Sequence, residues 1–321
     1  MPDPTQGLDF LLRTAPAALE CRSVEVWWPR QVALGAGHAN PMLGAIAGGY
    51  AADRLAWAFS AGYQAALRAL VPQLPAAALA SLCVSETAGN HPRAIQTSLS
   101  PHPDLPGTYV LDGAKRWTTL GPDSALLLVA ARTAADAARV PIRLALVRQG
   151  TPGVALSRMT DIGFVPEVAH AEVRFEHVLV GEQDLLDGDG YALYIKPFRS
   201  IEDLHVHAAT LAYLLREARR LAWPRPWMER TFAALHALAA IAPLDASAPA
   251  THIALAGALD IGAALVREAD ACWAATPGDP ACLRWIRDRA LLTVAGKARA
   301  QRIGRAWERI GAEPSGRAGD L

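Results

Sequence analysis

The 321-residue chain lacks an excess of charge of either sign: 31 Lys and Arg offset 31 Asp and Glu. That balance gives no field to gather nucleic acid or an anionic bilayer, so neither is expected as an obligate partner. The opening residues, MPDPTQGLDFLLRTAPAALE, lack the basic start and apolar run of a secretory leader, which points to a cytoplasmic protein. Long uncharged runs are scarce. The longest, residues 31–52, carries His38, Asn40, Pro41 and several glycines, so no membrane span is expected. The four cysteines, Cys21, Cys83, Cys272 and Cys282, form neither a CxxC pair nor a Cys/His spacing. They are expected to be reduced and mostly buried, with no metal site. P-loop, GxSxG, HExxH and dinucleotide GxGxxG motifs are also missing, which removes the common motif-level assignments of enzyme class.

What is present is a globular composition, 52% hydrophobic and 19% charged, which excludes intrinsic disorder. Residues 1–80 are rich in alanine and leucine at helical spacing, with Leu55, Phe59, Ala66 and Leu70 on one stripe, until Pro72 and Pro75 end the pattern. Residues 81–190 hold short apolar runs (SLCVSE, TYVLDG, ALLLVAAR, IRLALVR, AHAEVRFEHVLV) bounded by Gly, Pro and Asp, the pattern of an antiparallel barrel or sandwich. Residues 191–321 return to long helices, where Leu204, Ala208, Leu211, Leu215, Ala218 and Ala222 recur three and four apart. The expected fold class is α+β: an N-terminal helical domain, a middle β domain and a C-terminal helical bundle.

The string LCVSETAGNHP, followed by GTYVLDGAKRWTTLG, ALLLVAAR, TPGVAL and LLDGDGY, resembles the middle domain of the acyl-CoA dehydrogenase family, and the resemblance runs from residue 81 to about 220. It implies a small β-barrel between helical parts, a C-terminal four-helix bundle that also builds an oligomer, and FAD as cofactor. It implies flavin contacts from Ser85, from Asn90 or His91, and from Trp117, Thr118 and Thr119. Fixed donors there would stabilise the negative charge of a reduced flavin. Two positions depart from the family pattern: Thr87 replaces the loop proline and Leu120 the strand asparagine.

Acyl-CoA oxidation also needs a carboxylate to take the α-proton. The segment VAGKARAQR, residues 294–302, is similar to the family's Tyr-Glu-Gly-Thr-x-x-x-Gln-Arg, but the glutamate position is Ala295. Some family members place the base on the first long helix of the bundle, which makes Asp203 the catalytic candidate and Glu202 its neighbouring option. Alternatively, Ser200 to Asp203 spells a helix capping box. Asp203 and His207 share a helix face; His205 and His207 do not, so they make no metal pair. Arg302, Arg305 and Arg309 line one face of the last helix, either to meet a flavin pyrophosphate or CoA phosphate or simply to be solvated. Two functions follow from the resemblance. One is FAD-dependent α,β-dehydrogenation of an acyl-CoA thioester. The other is a degenerate flavin-binding or partner subunit of a heteromeric acyl-CoA dehydrogenase. The expected assembly is a homo-oligomer, dimer or tetramer, or a heteromer with a complete family member.

Overall fold

The computed structural model describes residues 7–38, 40–89, 91–133, 141–160, 162–294 and 296–311. They fall into two compact units, one of Met1–Cys21, Ala33–Ala69 and Ser200–Leu321, the other of Arg22–Val32 and Leu70–Arg199. The helices before and after the β-rich stretch thus share one unit.

The β unit contains β1 (Ala80–Cys83), β2 (Ser98–Pro101), β3 (Thr108–Thr119), β4 (Leu126–Arg132), β5 (Ile142–Arg148), β6 (Val154–Arg158) and β7 (His170–Gly181). They form a seven-stranded sheet in the order β1-β4-β2-β3-β7-β6, with β5 paired to β4. Most pairings are antiparallel, while β1 and β2 each run parallel to β4. Alternation builds its core: on β7 Ala171, Val173 and Phe175 point in, against Leu111, Leu127, Val129 and Val147, while Glu172, Arg174 and Glu176 point out.

Two bulges break the β3–β7 ladder. Leu111 and Gly113 face Val178 and Phe175, so β7 carries one extra residue, at the left-handed His177. Lys115 and Thr118 face Val173 and Ala171, so there the extra residue lies on β3, at the left-handed Trp117 (φ 60°). The second bulge turns both Lys115 and Thr118 inward although they are three residues apart. Gly113 has φ 145°, and a Cβ there would lie 2.6 Å from the Thr97 Cα, so this crossing admits glycine alone.

The helical unit holds α1 (Phe10–Arg13), α3 (Pro41–Ala51), α4 (Leu55–Leu70), α6 (Arg225–Ile241), α7 (Pro249–Ala274), α8 (Pro280–Asp288) and α9 (Gly296–Ile310). Unit boundaries fall inside α2 (Val24–Ala36) and α5 (Lys196–Arg220) and before the last residue of α4, Leu70. From Asp203 to Ala218 every residue of α5 is buried. This helix is therefore covered all round, beyond the single stripe its spacing suggests. Glycines bring neighbours to it: a Cβ on Gly49 would lie 2.1 Å from the Ala209 carbonyl oxygen, and one on Gly62 2.6 Å from the Val206 Cα. α4 departs from a one-stripe helix in the same way, with Trp57, Ala61, Tyr63 and Gln64 buried as well as Leu55 and Ala66, while Phe59 and Leu70 stay partly exposed. α7 is long and apolar enough to cross a membrane by length and composition. Its inner face nonetheless packs within the unit, where the Trp227 indole donates to the Leu265 carbonyl at 3.0 Å.

Candidate functional site

Two sets of residues carry candidate chemistry, one in each unit. In the β unit the loop after β1 is stitched to β3, because the Ser85 carbonyl accepts the Arg116 N–H at 2.8 Å. Below this stitch lies a buried ion pair that the motif strings contain but do not single out. Glu86 Oε1 accepts from Lys115 Nζ at 2.6 Å, from the Thr97 hydroxyl at 2.8 Å and from the Thr97 N–H at 3.0 Å, while Oε2 accepts the Gln96 N–H at 2.7 Å. Burial pushes the Glu86 carboxyl up, but the Lys115 ammonium and the two backbone N–H groups outweigh it and hold it below the usual range. Burial lowers the Lys115 ammonium against the pull of Glu86. The pair fixes the start of the loop and the middle of β3 together.

On that base the bulge sorts the expected contact residues. Trp117 is turned outward and is 48% exposed, its ring edge-on to His170 at 5.9 Å. Ser85 and Thr119 are partly exposed. The Thr119 carbonyl accepts the Ser81 hydroxyl, which fixes the end of the strand. Thr118 is fully buried, its hydroxyl beside the Cys83 thiol, whose pKa burial pushes up to about 12. His91 is exposed, and its Nδ1 accepts the Arg93 N–H at 3.2 Å to cap a short turn, Pro92–Ala94. Asn90 lies outside the described residues, as does Ala295. His170 was not foreseen from sequence. Burial lowers its imidazole pKa.

In the helical unit the capping-box alternative for Ser200 to Asp203 does not hold. The chain is already helical at Lys196, entered through a single π-turn, Tyr191–Ile195, whose N–H groups at Tyr191 and Ala192 are capped by Asp189 Oδ1 at 2.9 and 2.8 Å. Asp203 is instead a buried anchor for the last helix. Its Oδ1 accepts from Arg299 Nε and Nη2 at 2.9 and 2.8 Å, and its Oδ2 from Arg302 Nη2 at 2.6 Å. Arg302 therefore turns inward, whereas Arg305 and Arg309 are exposed. Glu202 is partly exposed. His207 donates its Nδ1–H to the Asp203 carbonyl at 3.0 Å, so it meets the backbone of Asp203, four residues back. His205 does the same to Ile201 at 2.7 Å. Burial lowers both histidines to about 4, with Arg299 adding to the effect at His207. Among the described residues no group of three or more His, Cys, Asp or Glu is placed to hold a metal ion.

Residues 81–178 match the family described as acyl-CoA dehydrogenase, middle domain. That stretch is similar to the middle domain of the acyl-CoA dehydrogenases. Of curated relatives, a mitochondrial isovaleryl-CoA dehydrogenase of Arabidopsis thaliana is 30% identical over 89 residues, 28% of this chain. That match spans 22% of the plant enzyme. Solved structures extend the likeness in fold. Butyryl-CoA dehydrogenase from Megasphaera elsdenii superposes with a TM-score of 0.70 at 17% identity, covering 96% of this chain and 99% of that one. An FAD complex of PigA does so with a TM-score of 0.68 at 14% identity, covering 96% and 93%. The family's fold therefore extends through both units, including the helical stretches that the middle-domain match leaves out.

Proposed function

We propose that this chain is an FAD-dependent acyl-CoA dehydrogenase-like oxidoreductase acting on an acyl thioester, and that it assembles with copies of itself or with a complete family member. The observation that carries the proposal is the half-exposed Trp117 on a strand where Lys115 and Thr118, on either side of it, are fully buried. An indole plane held outward by a bulge, with the partly exposed hydroxyls of Ser85 and Thr119 nearby in the chain's hydrogen-bonded framework, fits a planar ring edged with hydrogen-bond acceptors. Trp117 would stack on the isoalloxazine, Ser85 and Thr119 would donate to its polar edge, and the Glu86–Lys115 pair would keep their loop and strand in register. Bound flavin supplies a two-electron acceptor for the hydride leaving the substrate.

A second reading, a member that binds flavin without turning substrate over, is favoured by the state of Asp203. Both its oxygens are occupied by guanidinium donors, and one must be released before the group can take a proton. Titrating the purified chain with FAD is expected to give stoichiometric binding, weakened about tenfold (~1.4 kcal/mol) in Trp117→Ala. A chain that never binds FAD overturns the proposal. Anaerobic mixing of the loaded protein with a panel of acyl-CoAs then separates the two readings: bleaching that Asp203→Asn abolishes supports a relocated base, and the absence of bleaching supports the second.

A further inference from the structure

We propose that the outer face of α7 is the surface on which two copies of this chain pair. The two helices run antiparallel about a two-fold axis between Ala263 and Ala264, and Asp260 of each copy meets the partner's Arg267. This rests on the proposed self-assembly and assigns its surface and register. α7 is apolar enough to cross a membrane, yet only a third of its most apolar stretch is buried. Its inner residues, among them Leu255, Leu265 and Trp273, are buried, whereas Ala254 and Ala271 are exposed and Ile261 is 53% exposed. A helix of that composition is ordinarily covered on every side.

The charges on that face select the occupant. Asp260, Arg267 and Glu268 interrupt it midway along the helix, where a bilayer would have to desolvate them. Glu268 is already taken, accepting from Arg230 of α6 at 2.8 Å. Asp260 and Arg267 are both exposed, and among the described residues neither makes a hydrogen bond or an ion pair. They are of opposite sign and seven residues apart, so about 10.5 Å of helix keeps them from pairing within one chain. Turned end for end against itself, the same helix brings each to the other. A two-fold axis between Ala263 and Ala264 lies midway between positions 260 and 267, so it sets Asp260 of one copy level with the partner's Arg267, twice over. Ala264, half-buried at the axis, is small enough for the helices to approach, and Ile261 then packs beside the partner's Ala264. The two ion pairs fix orientation and register, while the apolar face supplies the contact.

The test is sedimentation of the full chain over a range of concentrations, with FAD added, where dimers or larger even-numbered assemblies are expected. Ile261→Asp, at an exposed position whose change spares the fold, should weaken association by about tenfold or more. Asp260→Arg and Arg267→Glu should each weaken it about tenfold, because a symmetric pair suffers two like-charge contacts at once. Both reversals in one chain should restore association to within about threefold, and an equimolar mixture of the two single variants should pair better than either does alone. Oxidation should link two copies through Ala264→Cys and not through Ala254→Cys, which lies about 14 Å from the axis along the helix. A chain that stays monomeric overturns the self-assembly and this surface together. An assembly indifferent to Ile261→Asp and to both reversals overturns the surface alone, as does binding to phosphatidylcholine vesicles that Ile261→Asp removes.

Discussion

In the β unit the buried charge is paired: Glu86 and Lys115 are both ionised partners, 2.6 Å apart, with backbone N–H groups sharing the carboxylate. In the helical unit the buried titratable groups on α5 include His205 and His207, which are neutral and satisfied by carbonyls of their own helix. The first arrangement depends on a partner from another segment of chain, the second on keeping a proton away. The Glu86–Lys115 pair and the two histidines of α5 should therefore fail under different insults, one to the removal of a partner and the other to acid.

The largest effect is expected from breaking the pair from one side. Lys115→Met leaves the Glu86 carboxylate buried and without its cation, and urea unfolding should show a loss of about 3–5 kcal/mol. Removing both charges, as Glu86→Gln with Lys115→Met, should recover part of that, since no charge is left buried, the Thr97 N–H still finds the amide oxygen, and only the Gln96 N–H loses its acceptor. A double variant as unstable as the single would mean that the attraction itself, and not the orphaned charge, carries the stability.

Acid separates the units next. The histidines have folded-state pKa values of about 4, below the ordinary 6.5, so the unfolded chain binds protons first as pH falls. Stability is intact above pH 6.5 and is lost between 6.5 and about 4, at up to about 3 kcal/mol per histidine. Glu86 is also depressed, but from an ordinary value of 4.5, so its contribution survives until the pH drops below that. Hydrogen exchange at pH 7 and 5.5 should show the larger loss of protection along α5, with the body of β3 and β7 holding theirs and a smaller loss confined to the Thr119–His170 end, where burial also lowers the His170 imidazole. Equal loss in both units would break the comparison.

A smaller effect distinguishes glycines by what surrounds them. Gly62→Ala puts a Cβ 2.6 Å from the Val206 Cα and should cost about 1–3 kcal/mol through displaced backbone. Gly257, also helical, has nothing within 4 Å, and Gly257→Ala should stabilise by roughly 0.4–1 kcal/mol. Thermal unfolding of the two variants should move in opposite directions.

Much of this architecture is legible in the sequence because period and punctuation follow from the backbone itself. The shift from three- and four-residue spacing to short alternating runs at residue 81, and back after residue 190, is visible without partners. What is not legible depends on residues that meet across long separations. Asp203 could not be seen as the anchor of α9, because its arginines lie 96 and 99 residues away. Nor does the string at Ser200 reveal that the helix has already begun at Lys196, since Asp189 supplies the cap from further back. The all-round burial of α5 was hidden for a related reason: its polar residues suggest a solvated face, but His205 and His207 use up their donors within the helix. At Trp117 a left-handed residue in a strand cannot be recognised from its type, and the bulge there decides which neighbours face out.

That bulge frames the smallest and most discriminating experiment. Simple alternation makes Trp117 and Thr119 face one way and Thr118 the other, and by itself leaves undecided which set meets solvent. With the extra residue at Trp117, Lys115 and Thr118 are both inside, and among the described residues the Thr118 hydroxyl has only the Cys83 sulfur as a partner to lose. Thr118→Val should therefore change stability by less than about 1 kcal/mol, because a hydroxyl with only a weak thiol partner is traded for a methyl group of similar size. It should leave FAD affinity within about twofold, equivalent to ~0.4 kcal/mol. Thr119→Val and Ser85→Ala remove partly exposed hydroxyls and should each weaken FAD about fivefold, the worth of one ordinary hydrogen bond. If Thr118→Val proved the most damaging of the three, the strand would present its hydroxyls in the opposite sense to the one the bulge dictates, and the proposed role of the outward set in holding FAD would fall.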